Sequence, residues 1–156
     1  MTRDFLQDRR GNFGMMTALL MVPLIGVAGL ALDVSDALMA RTTLQASADA
    51  AALAAVAQSS AGVSQAMLMA SDGQVTNGMA DARKVFMGQV ANSTDYKLLS
   101  ADVDVVKTSS QLKAVFSYRA EVPTTLSRIL GQDKVIVSGV AEAMFQTETF
   151  RDFYLL

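Results

Sequence analysis

The chain has 156 residues, a formal net charge of −2, and neither cysteine nor histidine. That composition excludes a disulfide framework, a thiolate zinc site, and any imidazole base or ligand. Its 13 Lys and Arg residues form no basic stripe, which argues against nucleic acid as a partner.

In chain order, residues 1–11 are a short polar tail carrying Arg3, Arg9 and Arg10. Residues 12–32, NFGMMTALLMVPLIGVAGLAL, carry no charge. As a helix rising about 1.5 Å per residue, this run is about 31 Å long, enough to cross a hydrocarbon core of about 30 Å. Positive charge favours the cytoplasmic side, so the three arginines place the N-terminus inside and the remaining chain outside. A cleaved secretory signal has a shorter apolar core, roughly 7–15 residues. A helix in a soluble core would show one polar face. The run therefore reads as a retained, single-pass anchor. Pro23 removes a backbone donor and is expected to bend the helix near residues 19–23. Gly26 and Gly29 lie three apart, a spacing that lets another helix approach closely.

The helix does not stop at Leu32. Residues 33–59 hold neither Gly nor Pro and are dense in alanine, the best helix former. One face carries Leu38, Thr42, Gln45 and Asp49; another carries Leu44, Ala48, Ala51 and Ala55. Gly62, Asp72-Gly73 and Asn77-Gly78 are breakers, with a short helix possible between the first two. Met79, Ala82, Phe86 and Val90 recur at helical spacing, predicting a helix over 79–91 with Asn77 as its cap. Asn92-Ser-Thr94 ends it in a loop.

From Ser100 the period changes to two. Ala101, Val103 and Val105 oppose Asp102 and Asp104, predicting a strand over 101–108. Leu112, Ala114, Phe116, Tyr118, Ala120 and Val122 alternate with more polar neighbours over 112–122, a half-buried strand with one wet face. Ser109 to Gln111 suits a hairpin loop. Pro123 stops the strand, a short helix follows, and Gly131 ends it. A third strand spans 134–145, with Val135, Val137, Ala141, Ala143 and Phe145 on one face. The fold class is α+β: a long membrane-spanning helix that continues outward and packs on a small antiparallel sheet. The domain plan is a cytoplasmic tail at 1–11, a transmembrane helix at 12–32 and one extracytoplasmic domain at 33–156.

Sites for chemistry are sparse. Ser110-Gln-Leu-Lys113 matches S-x-x-K, but that serine should open a helix in a pocket, and here it sits at a hairpin. Asp33-Val-Ser35 begins like a metal-binding loop, but it follows a membrane helix. Asp102 and Asp104 share a strand face, whereas hard cations want six or more oxygens from a shaped loop. No catalytic, metal or cofactor residue is assigned, and no small-molecule substrate.

The run Arg9-Arg-Gly-Asn-Phe13, the apolar span with Pro23, Gly29-Leu-Ala-Leu-Asp33-Val, Ala40-Arg41, Leu44-Gln45 and Ala48-Asp49-Ala-Ala-Ala-Leu-Ala54 resembles the N-terminal segment of TadE/TadG-like proteins. These belong to the bacterial tight-adherence (Tad, or Flp) pilus-assembly machinery. A strand ending in Val122-Pro123, a turn closing on Ile129-Leu-Gly131, and Ala141-Glu-Ala143 extend the likeness more loosely. The resemblance implies a type IV pilin-like plan and a non-enzymatic role in pilus assembly. It implies inner-membrane anchoring, no cofactor, and as partners the lipid bilayer and pilins or other assembly proteins. A minor pilin-like subunit falls within that role. A membrane-tethered binding module unrelated to fibres is the alternative. Pilins cut by the prepilin peptidase carry Glu five residues after the cleaved Gly; here Gly11 has Met16 in that place, so the tail is expected to stay. Small residues at Ala48, Ala52 and Ala55 are expected to meet a partner's helix, with Asp49 pairing a basic residue there, while the sheet covers another face.

Overall fold

A computed structural model describes residues 10–146, the side chains of residues 10–12 and Leu130 excepted. Arg3 and Arg9 lie outside the described residues, and so does the side chain of Arg10.

The first element, α1, runs unbroken over Arg10–Val56, and Pro23 lies inside it without ending it. From Phe13 to Leu32 only Gly29 is buried; Phe13 is 80% exposed. Among the described residues this half meets only the β3–β4 connection, at Gly29 and the residues just before it. It is long and apolar enough to cross a membrane. From Asp33 onward the helix acquires a buried face: Ala37, Ala40, Leu44, Ala48, Ala51, Ala52, Ala55 and Val56 all enter the core.

Two helices follow. α2 spans Ala61–Leu68, and the Ser60 hydroxyl caps it by accepting from the Val63 N–H. α3 spans Thr76–Val90. The expected cap at Asn77 is not the one used. Val75 occupies the cap position with no side-chain bond, and the Asn77 N–H donates to Gln65 Oε1 at 2.8 Å instead. A neighbouring helix supplies the acceptor, so the local cap is unnecessary.

The sheet is an antiparallel meander ordered β1-β2-β3-β4: Gly73–Gln74, Lys97–Thr108, Gln111–Pro123 and Lys134–Gln146. The inward positions of β3 are those set by its alternation, and Leu112, Ala114, Phe116, Tyr118, Ala120 and Val122 are all buried. β2 starts at Lys97 rather than 101, because pairing to Glu121 and Ala120 continues past a register shift between Leu98 and Ser100. That irregularity breaks the alternation a sequence reading relies on. The two-residue β1 was not expected; it holds on through Gly73 and Gln74 opposite Lys107 and Val106.

α1 and α3 lie side by side on one face of the sheet, α1 over β3 and β4, α3 over β2. The 3-10 turn at Ser127–Leu130 joins β3 to β4 and returns to α1. Phe86 of α3 and Phe116 of β3 meet in the middle, ring centroids 4.5 Å apart. Both are fully buried.

Candidate functional site

The feature that sets the geometry of this molecule is the seam where α1 leaves its bare half and joins the domain. Asp33 sits at that boundary and is only 4% exposed. A buried carboxylate needs hydrogen-bond donors. It finds them 92 to 94 residues away, in the β3–β4 connection. The Thr125 N–H donates to Asp33 Oδ1 at 2.8 Å; Leu126 and Ser127 N–H groups donate to Oδ2 at 3.1 and 2.5 Å. These are the free N–H groups at the start of the 3-10 turn, which a negative charge satisfies. The Ser127 hydroxyl, then the Thr125 and Ser127 N–H groups, hold the Asp33 carboxyl down to about 2, outweighing the opposing effect of desolvation.

One turn before Asp33, Gly29 lets the same connection close on the helix. A Cβ there would stand 2.6 Å from Leu126 Cδ1, so any side chain would push the turn away. Farther out, Tyr118 fastens β3 to α1. Its hydroxyl donates to the Arg41 carbonyl and to Gln45 Oε1, both at 3.3 Å. Gln45 Nε2 in turn donates to Val140 O on β4 and to Asp49 Oδ1. Burial pushes the Tyr118 phenol above its ordinary pKa, with Asp49 adding to the rise and Arg41 opposing it. Gly139 makes this lock possible, because a Cβ there would collide with Gln45 and stand 2.5 Å from the Tyr118 oxygen.

The structure corrects one expectation at this seam. Ala48, Ala52 and Ala55 do not face outward to a partner: they are 0, 1 and 0% exposed. The helix expected from another molecule is the chain's own α3, which packs along α1 beside the sheet. With helix on one side and sheet on the other, both alanine faces are consumed. Asp49 remains exposed, on the outer stripe with Leu38, Thr42 and Leu53. Gly26 is exposed too, and nothing stands within 4 Å of where its Cβ would be. Gly29 meets Leu126 rather than a second helix.

The seam can position and anchor; its groups do not converge on a reacting centre. Lys113 pairs with Glu142 at 2.9 Å, Lys107 donates to the Met69 carbonyl, and Ser110 lies in the β2–β3 turn. Asp104 accepts from Gln74. Among the described residues no group of three or more His, Cys, Asp and Glu is placed to hold a metal ion.

Sequence reasoning missed the role of Asp33. Its partners are backbone N–H groups far along the chain, and these leave no trace in residue identity. The one available signal was an acidic residue placed directly against an apolar run.

Compared with known proteins, residues 11–58 match the family described as "Putative Flp pilus-assembly TadE/G-like". That match begins near the start of α1 and ends just past Val56, so it covers the bare half, the Asp33 boundary and the docked half together. No curated protein and no solved structure matches the chain.

Proposed function

We propose, from the similarity of residues 11–58 to TadE/G-like pilus-assembly proteins, that this chain is a non-enzymatic, membrane-anchored subunit that assists assembly of a Tad pilus. In this reading residues 1–11 are a cytoplasmic tail, 12–32 span the inner membrane, and 33–156 form a periplasmic domain with a pilin-like plan. The protein is a minor pilin-like subunit or a companion of pilins, and its partners are the bilayer and other assembly proteins.

One observation carries the proposal: a single continuous helix is bare and apolar in its first half and locked into an α+β domain in its second. That division supports an anchor rigidly joined to its cargo, the arrangement an assembly subunit needs to hold a docking surface at fixed height above lipid. The exposed stripe of α1 with Leu38, Asp49 and Leu53 is the surface we assign to partner contact, in place of the buried alanines.

Affinity capture of the intact chain from gently solubilised membranes tests this. Pilins or assembly-platform proteins should copurify, and Asp49→Lys together with Leu53→Glu should release them while the domain stays folded. Capture of envelope proteins unconnected with pili would support a tethered binding module instead.

A further inference from the structure

Among the described residues nothing covers the apolar tip of the β3–β4 connection. Ile129 is 82% exposed. Leu126 and Ile129 face Val22, Ile25, Gly26 and Leu30 of α1 across a groove. That stretch of α1 lies inside the apolar run, before Asp33. At about 1.5 Å per residue the groove extends from about 5 to about 16 Å below Asp33 along the helix. Half of a hydrocarbon core is about 15 Å. The tip therefore hangs beside the outer half of the span.

Irregular backbone at such a depth must have its polar groups satisfied, since lipid offers no donors or acceptors. Seven N–H groups of this connection have such partners. Asp33 accepts from the Thr125, Leu126 and Ser127 N–H groups. The Thr124 N–H donates to Asp133 O, Ile129 to Leu126 O, Gly131 to Arg128 O and Gln132 to Ser127 O. The Thr124 hydroxyl donates to Gln132 O. The charged side chains of the connection are Arg128 and, just before β4, Asp133, an exposed pair at 3.6 Å. A long apolar stem lets such a guanidinium reach back to the headgroups while its neighbours stay in the hydrocarbon.

We propose that this connection is a membrane wedge: Leu126 and Ile129 enter the outer leaflet beside α1, and a phospholipid acyl chain fills the groove between them and the helix. The occupant follows from continuity. One wall of the groove is the span itself, so whatever solvates Val22 and Ile25 solvates the groove. The inference rests on the membrane anchor of the proposed function. It adds a second contact with the bilayer, which would fix the rotation and tilt of the domain as a single helix does not.

The chain has no Trp, so one introduced indole reports its own surroundings. We would place the full chain in vesicles of dioleoylphosphatidylcholine, and in vesicles of the same lipid brominated at the double bonds. Three variants are compared: Ile129→Trp, Leu24→Trp in the span, and Leu68→Trp on exposed α2. The wedge predicts blue-shifted emission for Ile129→Trp and bromine quenching comparable to Leu24→Trp, with Leu68→Trp unquenched. Quenching of Leu24→Trp alone overturns the wedge and leaves the anchor standing. Blue-shifted but unquenched emission from Ile129→Trp means protein covers the groove, and also overturns it. No quenching at either Ile129→Trp or Leu24→Trp removes the anchor and the wedge together.

Discussion

Truncating Phe116 to Ala is the sharpest test of how the sheet meets the helices. The ring is fully buried and lies 4.5 Å, centroid to centroid, from Phe86 of α3. It stands between Val103 on β2 and Ala141 on β4. These neighbours sit on two separate strands and a helix, so they cannot all close on the cavity. A loss at the usual level for a buried aromatic, about 3–5 kcal/mol, is expected. About 0.5–1.5 kcal/mol of that should be specific coupling to Phe86, recoverable from a double-mutant cycle with Phe86→Ala. For a domain of this size, about 4 °C of melting temperature per kcal/mol gives a drop of about 12–20 °C. The assay is thermal unfolding of the full chain in detergent, followed by circular dichroism. The matched control is Lys113→Ala on the wet face of the same strand. Lys113 makes only an exposed pair with Glu142, so its loss should stay within about 0.5 kcal/mol. Because side chains alternate, a register error of one residue would exchange the two results. Equal tolerance at both positions would refute the packing described.

Three further outcomes are expected. Ala52→Leu should overpack the site between α1 and its own neighbours and cost about 1–3 kcal/mol, whereas substitution of exposed Leu53 should leave stability unchanged; normal melting of Ala52→Leu would return that face to the solvent. The Asp33 carboxyl titrates near 2 rather than 3.8, so the fold favours its ionised form. Its stabilising contribution is complete above about pH 4 and is lost as pH falls through about 2, and the stability gap between the parent and Asp33→Asn should narrow over that window; a gap constant from pH 5 to pH 2 would contradict the clamp. Met16 stands where prepilin-peptidase substrates carry an acid, so intact mass should show the residues before Asn12 retained; a mature chain beginning at Asn12 would argue for entry into the fibre.

The elements were legible where local pattern and tertiary demand coincide. The alternation in β3 and β4 named the inward residues, because each strand has one dry face and one wet one. The absence of Gly and Pro after Leu32 carried the helix past the end of the apolar run. Other features depended on partners distant in sequence. The Asn77 N–H is taken by Gln65, and β1 exists only because Lys107 and Val106 face it. The alanine faces of α1 were recognised as surfaces for close packing, but a single helix cannot indicate which neighbour fills them. α3 was visible as a helix, yet its place beside α1 depends on the sheet leaving room for two. Asp33 was visible as a charge and hidden as a clamp for the same reason.

The central claim is that one helix has the bilayer around its first half and its own domain around its second. A cysteine scan along α1 tests it directly, since the chain has no cysteine to remove. In spheroplasts of a host that makes the chain without pilus proteins, a membrane-impermeant maleimide should label single cysteines at Leu38, Thr42, Asp49 and Leu53. It should spare Leu20 and Leu24, which are exposed in the chain and would be shielded by lipid, and Ala48 and Ala52, which are buried in the domain. Labelling of Leu20 and Leu24 as rapid as that of Leu38, or labelling of Leu38 only after the inner membrane is opened, would contradict the account.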